Sequence, residues 1–493
     1  MKLELRGHRE RYTVEQSLMD LFPGERPVYE PIRPGDEDWA VVACREEEGR
    51  LLVTTDLCHH GQTASASHAA ALSGTDYDRE GQRRHAVGTC FFLAYRALTG
   101  DTPPWGMLTG VRPDKLVTEA LQAGASPGEA AAMLEREYFV TPQRAALALE
   151  TGTAAFEAAK RLGPRDIDVY IGVPFCPTRC AYCSFVSQSV EKSFSLVGPY
   201  VDALTAEIEA GGRMVREEGL RPRAMYMGGG TPTTLTAEQL DRVLTAFETA
   251  FGPALDRCDE ITVEAGRPDT ITAEKLAVLR DHGVRRISVN PQTMEEGVLR
   301  AIGRRHSPGD VEQAMELAAA YGFRYVNMDL IAGLPEDTPE GFRRSLDRCL
   351  RFGTENVTVH TLALKKGSRI LLEGLSIPGP EAVREMLDYA GPALRGAGYA
   401  PYYLYRQKYM SGSFENIGWT RPGGACLYNI DIMSELCSIL SFGAGGSTKM
   451  VDPSRRLIRR RFNPKYPKEY TERQAKMRSN QADFAAFYGG AGL

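Results

Sequence analysis

No stretch of the 493 residues stays apolar long enough to cross a bilayer, which takes about 20 consecutive residues. The opening stretch, MKLELRGHRERYTVEQ, lacks the apolar core of a secretory leader. The chain is therefore expected in the cytoplasm, where thiols stay reduced. An excess of one charge is also missing: 59 basic and 64 acidic side chains leave a formal net charge of −5. That balance gives no reason to expect nucleic acid or an anionic membrane as partner. There is no fixed-period repeat and no low-complexity tract, which excludes solenoid and fibrous designs.

What is present is a long α/β pattern in three regions. Residues 1–163 read as an N-terminal accessory α/β domain. Strand-like runs lie at 39–44 and 51–55, and helix-like stretches at 116–123, 127–137 and 142–162. Ser126 before Pro127 is a helix-start signal. The breaker-rich loop with Pro103, Pro104, Trp105 and Gly106 reads as surface-lying.

Residues 164–374 alternate β-rich runs at 167–173, 224–227, 260–264, 285–289, 325–331 and 356–360 with amphipathic stretches at 201–218, 237–250, 273–282 and 309–321. Gly and Pro punctuate the junctions. Six strand–helix units predict an open, partial (β/α)6 barrel with a parallel sheet. Residues 375–493 change texture, with PYYLYRQKY, FENIGW, FGAGGS and a basic strand-like run, RRLIRRRF. They read as a C-terminal α+β domain.

Seven of the ten cysteines are scattered: Cys44, Cys58, Cys90, Cys258, Cys349, Cys426 and Cys437. Such residues are mostly small buried apolar groups. Cys176, Cys180 and Cys183 differ, standing together in VPFCPTRCAYCSF at the spacing C-x3-C-x2-C. A second pair is missing. Structural zinc takes four ligands, commonly from two C-x2-C pairs, and no histidine lies near these three in sequence. Three thiolates on one short loop after a strand suit a [4Fe–4S] cluster with one iron left without a protein ligand. That iron can take the amino and carboxylate groups of S-adenosylmethionine (SAM). An electron from the cluster then breaks the sulfonium C–S bond and yields a 5′-deoxyadenosyl radical. The protein's part is position and shielding.

In such barrels the active groups sit at the C-terminal ends of the strands. Chemically useful residues recur there: the cysteine loop, Gly228-Gly229-Gly230-Thr231, Glu264, Asn290-Pro291-Gln292, Asp329 and His360. Any one of them is an ordinary polar loop residue, but their recurrence at one end of successive strands argues for a shared site. Cys58-His59-His60 could attract a metal but reads as ordinary loop residues, with no catalytic role.

The cysteine loop, GGGTPT, the Asn-Pro-Gln turn, Arg304 and MDLIAGLP together resemble the radical SAM family of oxygen-independent coproporphyrinogen III oxidase (coproporphyrinogen dehydrogenase), over about residues 165–450. TGVRPDKL, FENIGWTRPG and FGAGGSTK resemble its HemZ-type subgroup. The resemblance implies a site map. Cys176, Cys180 and Cys183 hold the cluster. Tyr170 packs by the SAM sulfonium, and Tyr182 lies beside the adenine. Gly229, Gly230 and Thr231 form the SAM-binding glycine motif. Glu264, Gln292, Arg304 and Asp329 contact one or two SAM molecules, and Tyr170 and Arg304 act at the catalytic centre. Residues 375–493 become a HemN-like substrate and cover domain.

The implied reaction is oxidative decarboxylation of two propionates of coproporphyrinogen III, giving protoporphyrinogen IX in heme biosynthesis. The implied partners are a tetrapyrrole substrate and a low-potential electron donor such as flavodoxin or ferredoxin. Two departures open alternatives. The oxidases carry a fourth cysteine where Phe185 stands here, and phenylalanine there is seen in heme-chaperone relatives. Those relatives carry a His-Asn-x-x-Tyr motif, whereas here the stretch is Tyr428-Asn429-Ile430-Asp431-Ile432. A heme-delivery protein, or another radical SAM reaction on a tetrapyrrole, therefore competes with the oxidase reading. Arg406, Lys408, Lys449 and the run from Arg455 to Arg461 are basic groups that read as solvated surface charge.

Overall fold

The computed structural model describes residues 1–110, 112–183, 188–364, 367–407, 414–452 and 457–489. Phe185, Lys408 and Arg455 lie outside them. The chain forms two compact units, Met1–Leu149 and Glu150–Leu493. The sequence reading drew three regions.

The first unit holds a four-stranded sheet in the order β1 (Lys2–Arg6), β2 (Trp39–Glu47), β3 (Arg50–His59), β4 (Gln62–Ala71). β1 runs parallel to β2, and the rest is antiparallel. Two tight hairpins build it. Glu48-Gly49 and His60-Gly61 all have φ between 50 and 77°, the conformation of two-residue turns whose twist matches the flanking strands. The helix Asp76–Thr99 shares one core with the sheet through Val87, Cys90, Phe91 and Phe92. Thr75 and Asp78 close its first turn as a capping box. Ser126 and Glu129 do the same for the helix Pro127–Tyr138, as the Ser-Pro pair foretells.

The loop at 103–106 is only partly on the surface: Pro103 and Pro104 are half-buried, and Trp105 and Gly106 are buried. Trp105 is 2% exposed, and a Cβ on Gly106 would meet the Tyr138 carbonyl at 2.1 Å. The loop turns because of its Pro and Gly, but the indole is apolar enough to draw it inward.

The second unit carries the six expected parallel strands in sequence order: β5 (Asp166–Val173), β6 (Arg221–Gly229), β7 (Glu260–Glu264), β8 (Arg286–Ser288), β9 (Tyr325–Ala332) and β10 (Asn356–Thr361). On β5, Ile167, Val169, Ile171 and Val173 are fully buried. The alternate positions Asp168 and Tyr170 point to the opposite face. Crossover helices include Val190–Glu217, Ala237–Phe251, Pro308–Ala320 and Pro339–Arg351. Among the described residues the sheet is open, with no closed barrel.

The C-terminal residues extend this same sheet at both edges. β11 (Ala400–Arg406) and β12 (Glu415–Thr420) add antiparallel beyond β10. β13 (Ser438–Phe442) adds parallel beyond β5, followed by β14 (Ser447–Asp452) and β15 (Leu457–Phe462). An exposed edge has unpaired amides and carbonyls, and these strands satisfy them.

Between the two edge groups, residues 424–434 lie against the N-terminal ends of the parallel strands. Arg286 donates to Glu260 at 3.1 Å and to the Ala425 carbonyl at 3.3 Å. Asn356 donates to the Gly424 carbonyl at 2.9 Å, and Arg223 faces Asp431 at 3.5 Å. Lys449 belongs to this end too: it is 6% exposed and faces Glu435 at 3.6 Å, so it is not a solvated charge. Arg460 and Arg461 pair with Glu435 and Asp483, and Arg406 is buried at 8% exposure.

The FGAGGS loop fastens β13 to β5. Gly443 has φ +88°, and a Cβ there would meet the Gly172 carbonyl at 2.3 Å. Glu207 accepts from the Gly443 amide, Asn463 and Tyr470. We expect Gly443→Ala to lower stability by about 3 kcal/mol, because it adds a backbone clash to left-handed strain. Gly445→Ala, with φ +74° and nothing within 4 Å, should cost about 1 kcal/mol. Paired thermal melts by circular dichroism check this; equal losses would contradict the close approach.

Candidate functional site

The cysteine loop begins where β5 ends, and it is pinned from two sides. On the near side, the Gly230 amide donates to the Val173 carbonyl at 2.8 Å and the Thr231 amide to Phe175 at 2.7 Å. Phe175–Cys176 also pairs in parallel with Gln188–Ser189. The Thr231 hydroxyl lies 3.7 Å from the Cys176 sulfur. On the far side, the Ala181 amide donates to the Ile302 carbonyl at 2.9 Å. Thr178 donates to the Gly303 carbonyl at 3.1 Å. Ala181 packs with Val298, Leu299, Ile302 and Leu334.

Two buried guanidiniums grip this loop. Arg267, 3% exposed, donates to the Thr178 carbonyl and hydroxyl at 3.3 and 3.0 Å and to the Cys180 sulfur at 3.6 Å. Arg304, 7% exposed, donates to the Asn290 carbonyl at 2.6 Å and the Tyr182 hydroxyl at 3.1 Å. Its Nε has no partner among the described residues. Arg304 is therefore no solvated helix-end charge.

Burial pushes the Cys180 thiol up, but Arg304 and Arg267 outweigh it and hold the thiol below its ordinary range. The thiolate is the form that binds metal. A sulfur loop with two buried positive charges beside it fits an anionic, thiolate-ligated iron–sulfur cluster. Cys183 is half-buried, and its amide donates to the Cys180 carbonyl at 3.1 Å. His306, 4% exposed, has no partner on either ring nitrogen among the described residues. Burial, then Arg304 and Arg267, push it down to about 4, so the ring is neutral at pH 7.

The strand ends supply the rest. Tyr226 donates to Glu264 at 2.6 Å. Burial pushes Glu264 up to about 7; the hydrogen bonds from Tyr226 and the Gly229 amide pull against it, and Asp329 adds to it. Tyr170, Tyr226 and Tyr428 stack, with Tyr226 and Tyr428 at 4.7 Å and 20°. The glycine run is obligatory here. A Cβ on Gly228 would stand 3.0 Å from the Glu264 carboxyl, and one on Gly230 2.5 Å from the Phe175 carbonyl. Gly229 has φ +108° and lies against Val173 and the Tyr170 hydroxyl.

Gln292 takes φ +69°. Its amide donates to the Asp329 carbonyl at 2.9 Å, and its carbonyl accepts from the Ile331 amide at 3.0 Å. Asp329 accepts from Asn327 at 2.7 Å and faces His360 at 3.8 Å. Burial pushes its carboxyl up, but His360 and Asn327 bring it below its ordinary value. Tyr405 lies 3.4 Å from the other nitrogen of His360.

The expected residues therefore fall into three touching sets. The first is Cys180 with Tyr182 and Arg304. The second is Tyr170, Gly229 and Glu264 beside Thr231 and Cys176. The third is Gln292 with Asp329. Arg267, Tyr226 and Tyr405 were missed. Arg267 follows a strand end by three residues, the one signal available; Tyr226 looks like any strand residue, and Tyr405 comes from a region read as separate. Lys449 lies at the other end of the strands.

A family model for the radical SAM superfamily matches residues 170–349. Over 396 residues the chain is 39% identical to the oxygen-independent coproporphyrinogen-III oxidase-like protein HemZ of Bacillus subtilis, covering 80% of this chain and 79% of that one. It is 32% identical over 268 residues to the heme chaperone HemW of Mycobacterium tuberculosis, covering 53% of this chain and 64% of the relative. The solved coproporphyrinogen III oxidase HemN of Escherichia coli overlays with a TM-score of 0.53 at 22% identity, over 66% of this chain and 73% of that one, a likeness of fold.

Replacing Cys176, Cys180 or Cys183 singly by Ala should drop iron and acid-labile sulfide to background after anaerobic reconstitution. Cys349→Ala, at a fully buried site inside a helix, should keep full occupancy. Retained iron in all three cysteine variants would remove the loop from the site.

Proposed function

The chain belongs to the radical SAM superfamily, among the oxygen-independent coproporphyrinogen-III oxidase-like proteins, and from that premise we propose that it converts coproporphyrinogen III to protoporphyrinogen IX. Its cofactors are a [4Fe–4S] cluster and SAM. In this reading Cys176, Cys180 and Cys183 ligate the cluster. Once bound and reduced, that cluster together with SAM would supply the one-electron chemistry needed to remove a hydrogen atom from a propionate β-carbon. Release of CO2, with one further electron passing to an external one-electron acceptor, would then leave a vinyl group, and the same would happen at a second propionate.

The observation that carries the proposal is the convergence of the cysteine loop, the glycine run and the Glu264, Gln292, Arg304 and Asp329 side chains at one end of the sheet, in a chain 39% identical to a HemZ protein. Arg304 offers a buried positive charge suited to a carboxylate. Gly229 and Gly230 leave backbone bare for close approach. Thr231 stands beside the cluster loop, and Tyr182 and Tyr170 give flat apolar faces. Glu264 is poised to accept a hydrogen bond from the SAM amino group. The substrate is a tetrapyrrole, and the electron comes from a low-potential donor such as flavodoxin or ferredoxin.

A heme-delivery role is the second reading, supported by the HemW relatives. It is opposed by Tyr428, at the position of the chaperone motif's histidine. That side chain is 4% exposed and stacked on Tyr226, out of reach of a bulky ligand.

Reduced, cluster-loaded protein given SAM and coproporphyrinogen III should form deoxyadenosine, methionine and CO2 together. Absence of all three under strict anaerobiosis, with stoichiometric heme uptake instead, would decide for delivery. A new product from heme or coproporphyrinogen III without CO2 would mean a different tetrapyrrole reaction.

Because burial raises Glu264 to about 7, its carboxylate form is scarce below that pH and dominant above it. SAM affinity should then rise roughly tenfold between pH 6 and pH 8, read by equilibrium dialysis. Glu264→Gln should flatten that rise; an unchanged slope in the variant would assign the titration elsewhere.

A further inference from the structure

The first unit contains a cluster of ligand-type side chains with no part in the radical chemistry. His59 ends β3, His60 opens the hairpin turn, and Asp38 precedes β2. Along a strand, neighbouring side chains point to opposite faces, and Cys58 obeys this, its buried thiol donating to the Glu37 carbonyl at 3.3 Å. His60 breaks the alternation. With φ +50°, it swings its ring beside that of His59, with centroids 4.0 Å apart and a tilt of 32°. Asn or Gly is the usual occupant of such a turn position. A histidine there, with a second histidine beside it, needs a reason.

Asp38 faces both rings. Its Oδ1 lies 2.7 Å from His59 Nδ1 and 3.9 Å from His60 Nδ1, and it also accepts the His60 amide at 3.0 Å. One atom from each of the three residues falls within 4.8 Å of the others. In a tetrahedral zinc site, with metal–ligand bonds of about 2.0–2.1 Å, neighbouring ligand atoms stand roughly 3.3 Å apart. The two measured distances bracket that value, so small side-chain rotations suffice. Phe22 packs edge-on against His59 at 4.8 Å and steadies that ring.

We propose that Asp38, His59 and His60 bind a divalent late first-row metal ion, zinc being the closest match, with at least one coordination position open to water or an outside ligand. Two imidazoles and one carboxylate suit zinc, nickel or copper and not magnesium or calcium. The open position follows from exposure: the His60 side chain is 79% exposed and Asp38 34%, and three protein ligands with a free position is the pattern of reactive zinc sites.

The test is calorimetric titration of the full chain with zinc chloride, using a variant in which Cys176, Cys180 and Cys183 are all Ala so that cluster thiolates cannot compete. The same titration on the cluster-loaded chain covers misfolding of that variant. One equivalent should bind, unaffected by excess magnesium. His60→Asn, which preserves the turn, and Asp38→Asn should each weaken binding at least tenfold. Cobalt substitution should give visible ligand-field bands with no thiolate charge-transfer band. No saturable zinc binding, affinity unchanged from the parent chain in either variant, or a thiolate band would overturn the proposal, leaving the trio as a hydrogen-bonded hairpin end.

Discussion

Arg267 and Arg304 bring two positive charges into a region nearly closed to water, and the rest of the site is arranged around that cost. Removing a charge from water costs several kcal/mol unless hydrogen bonds and opposite charge repay it. Here the compensation comes from the cysteine loop, through the Thr178 carbonyl, the Tyr182 hydroxyl and the Cys180 sulfur, and from outside it, through the Asn290 carbonyl and the Asp269 carboxylate 3.2 Å from Arg267. The dependence runs both ways. The loop is held because the guanidiniums need it, and Cys180 is thiolate-prone because they are there. Site chemistry and loop structure are one electrostatic arrangement.

The second requirement is a rigid frame for strand ends. Parallel strands in register bring all their C-terminal ends to one side, and the glycine run lets β5, β6 and the cysteine loop approach within hydrogen-bonding distance. The C-terminal residues serve this frame from the opposite end. Tyr428, from the segment seated there, stacks under Tyr226, a contact of the kind worth about 0.5–1.5 kcal/mol. Tyr226 in turn holds Glu264. The C-terminal residues thus reach the Glu264 carboxyl through one stacked ring and one hydrogen bond.

The first unit follows different rules. Its sheet is built by two left-handed hairpin turns, and among its described residues a concentration of ligand-type groups sits at the tip of the second. His59 and His60 stand there side by side, with Asp38 facing both rings.

Much of this was legible without coordinates, for physical reasons. The six parallel strands show because buried strands are continuous apolar runs, and Gly and Pro mark their ends. The cysteine triplet shows because metal ligation demands its spacing. The glycine run and the Asn-Pro-Gln turn show because backbone crowding admits few residues. What the sequence could not settle involves partners far apart in the chain. Trp105 looked like loop and is core. Lys449 looked solvated and is buried at the N-terminal end of the strands. Arg267 and Tyr226 looked ordinary until folding set them against Cys180 and Glu264. Local spacing encodes which groups can do chemistry; the charge each carries, and which groups meet, are decided by burial and long-range packing, which exist only once the sheet has formed.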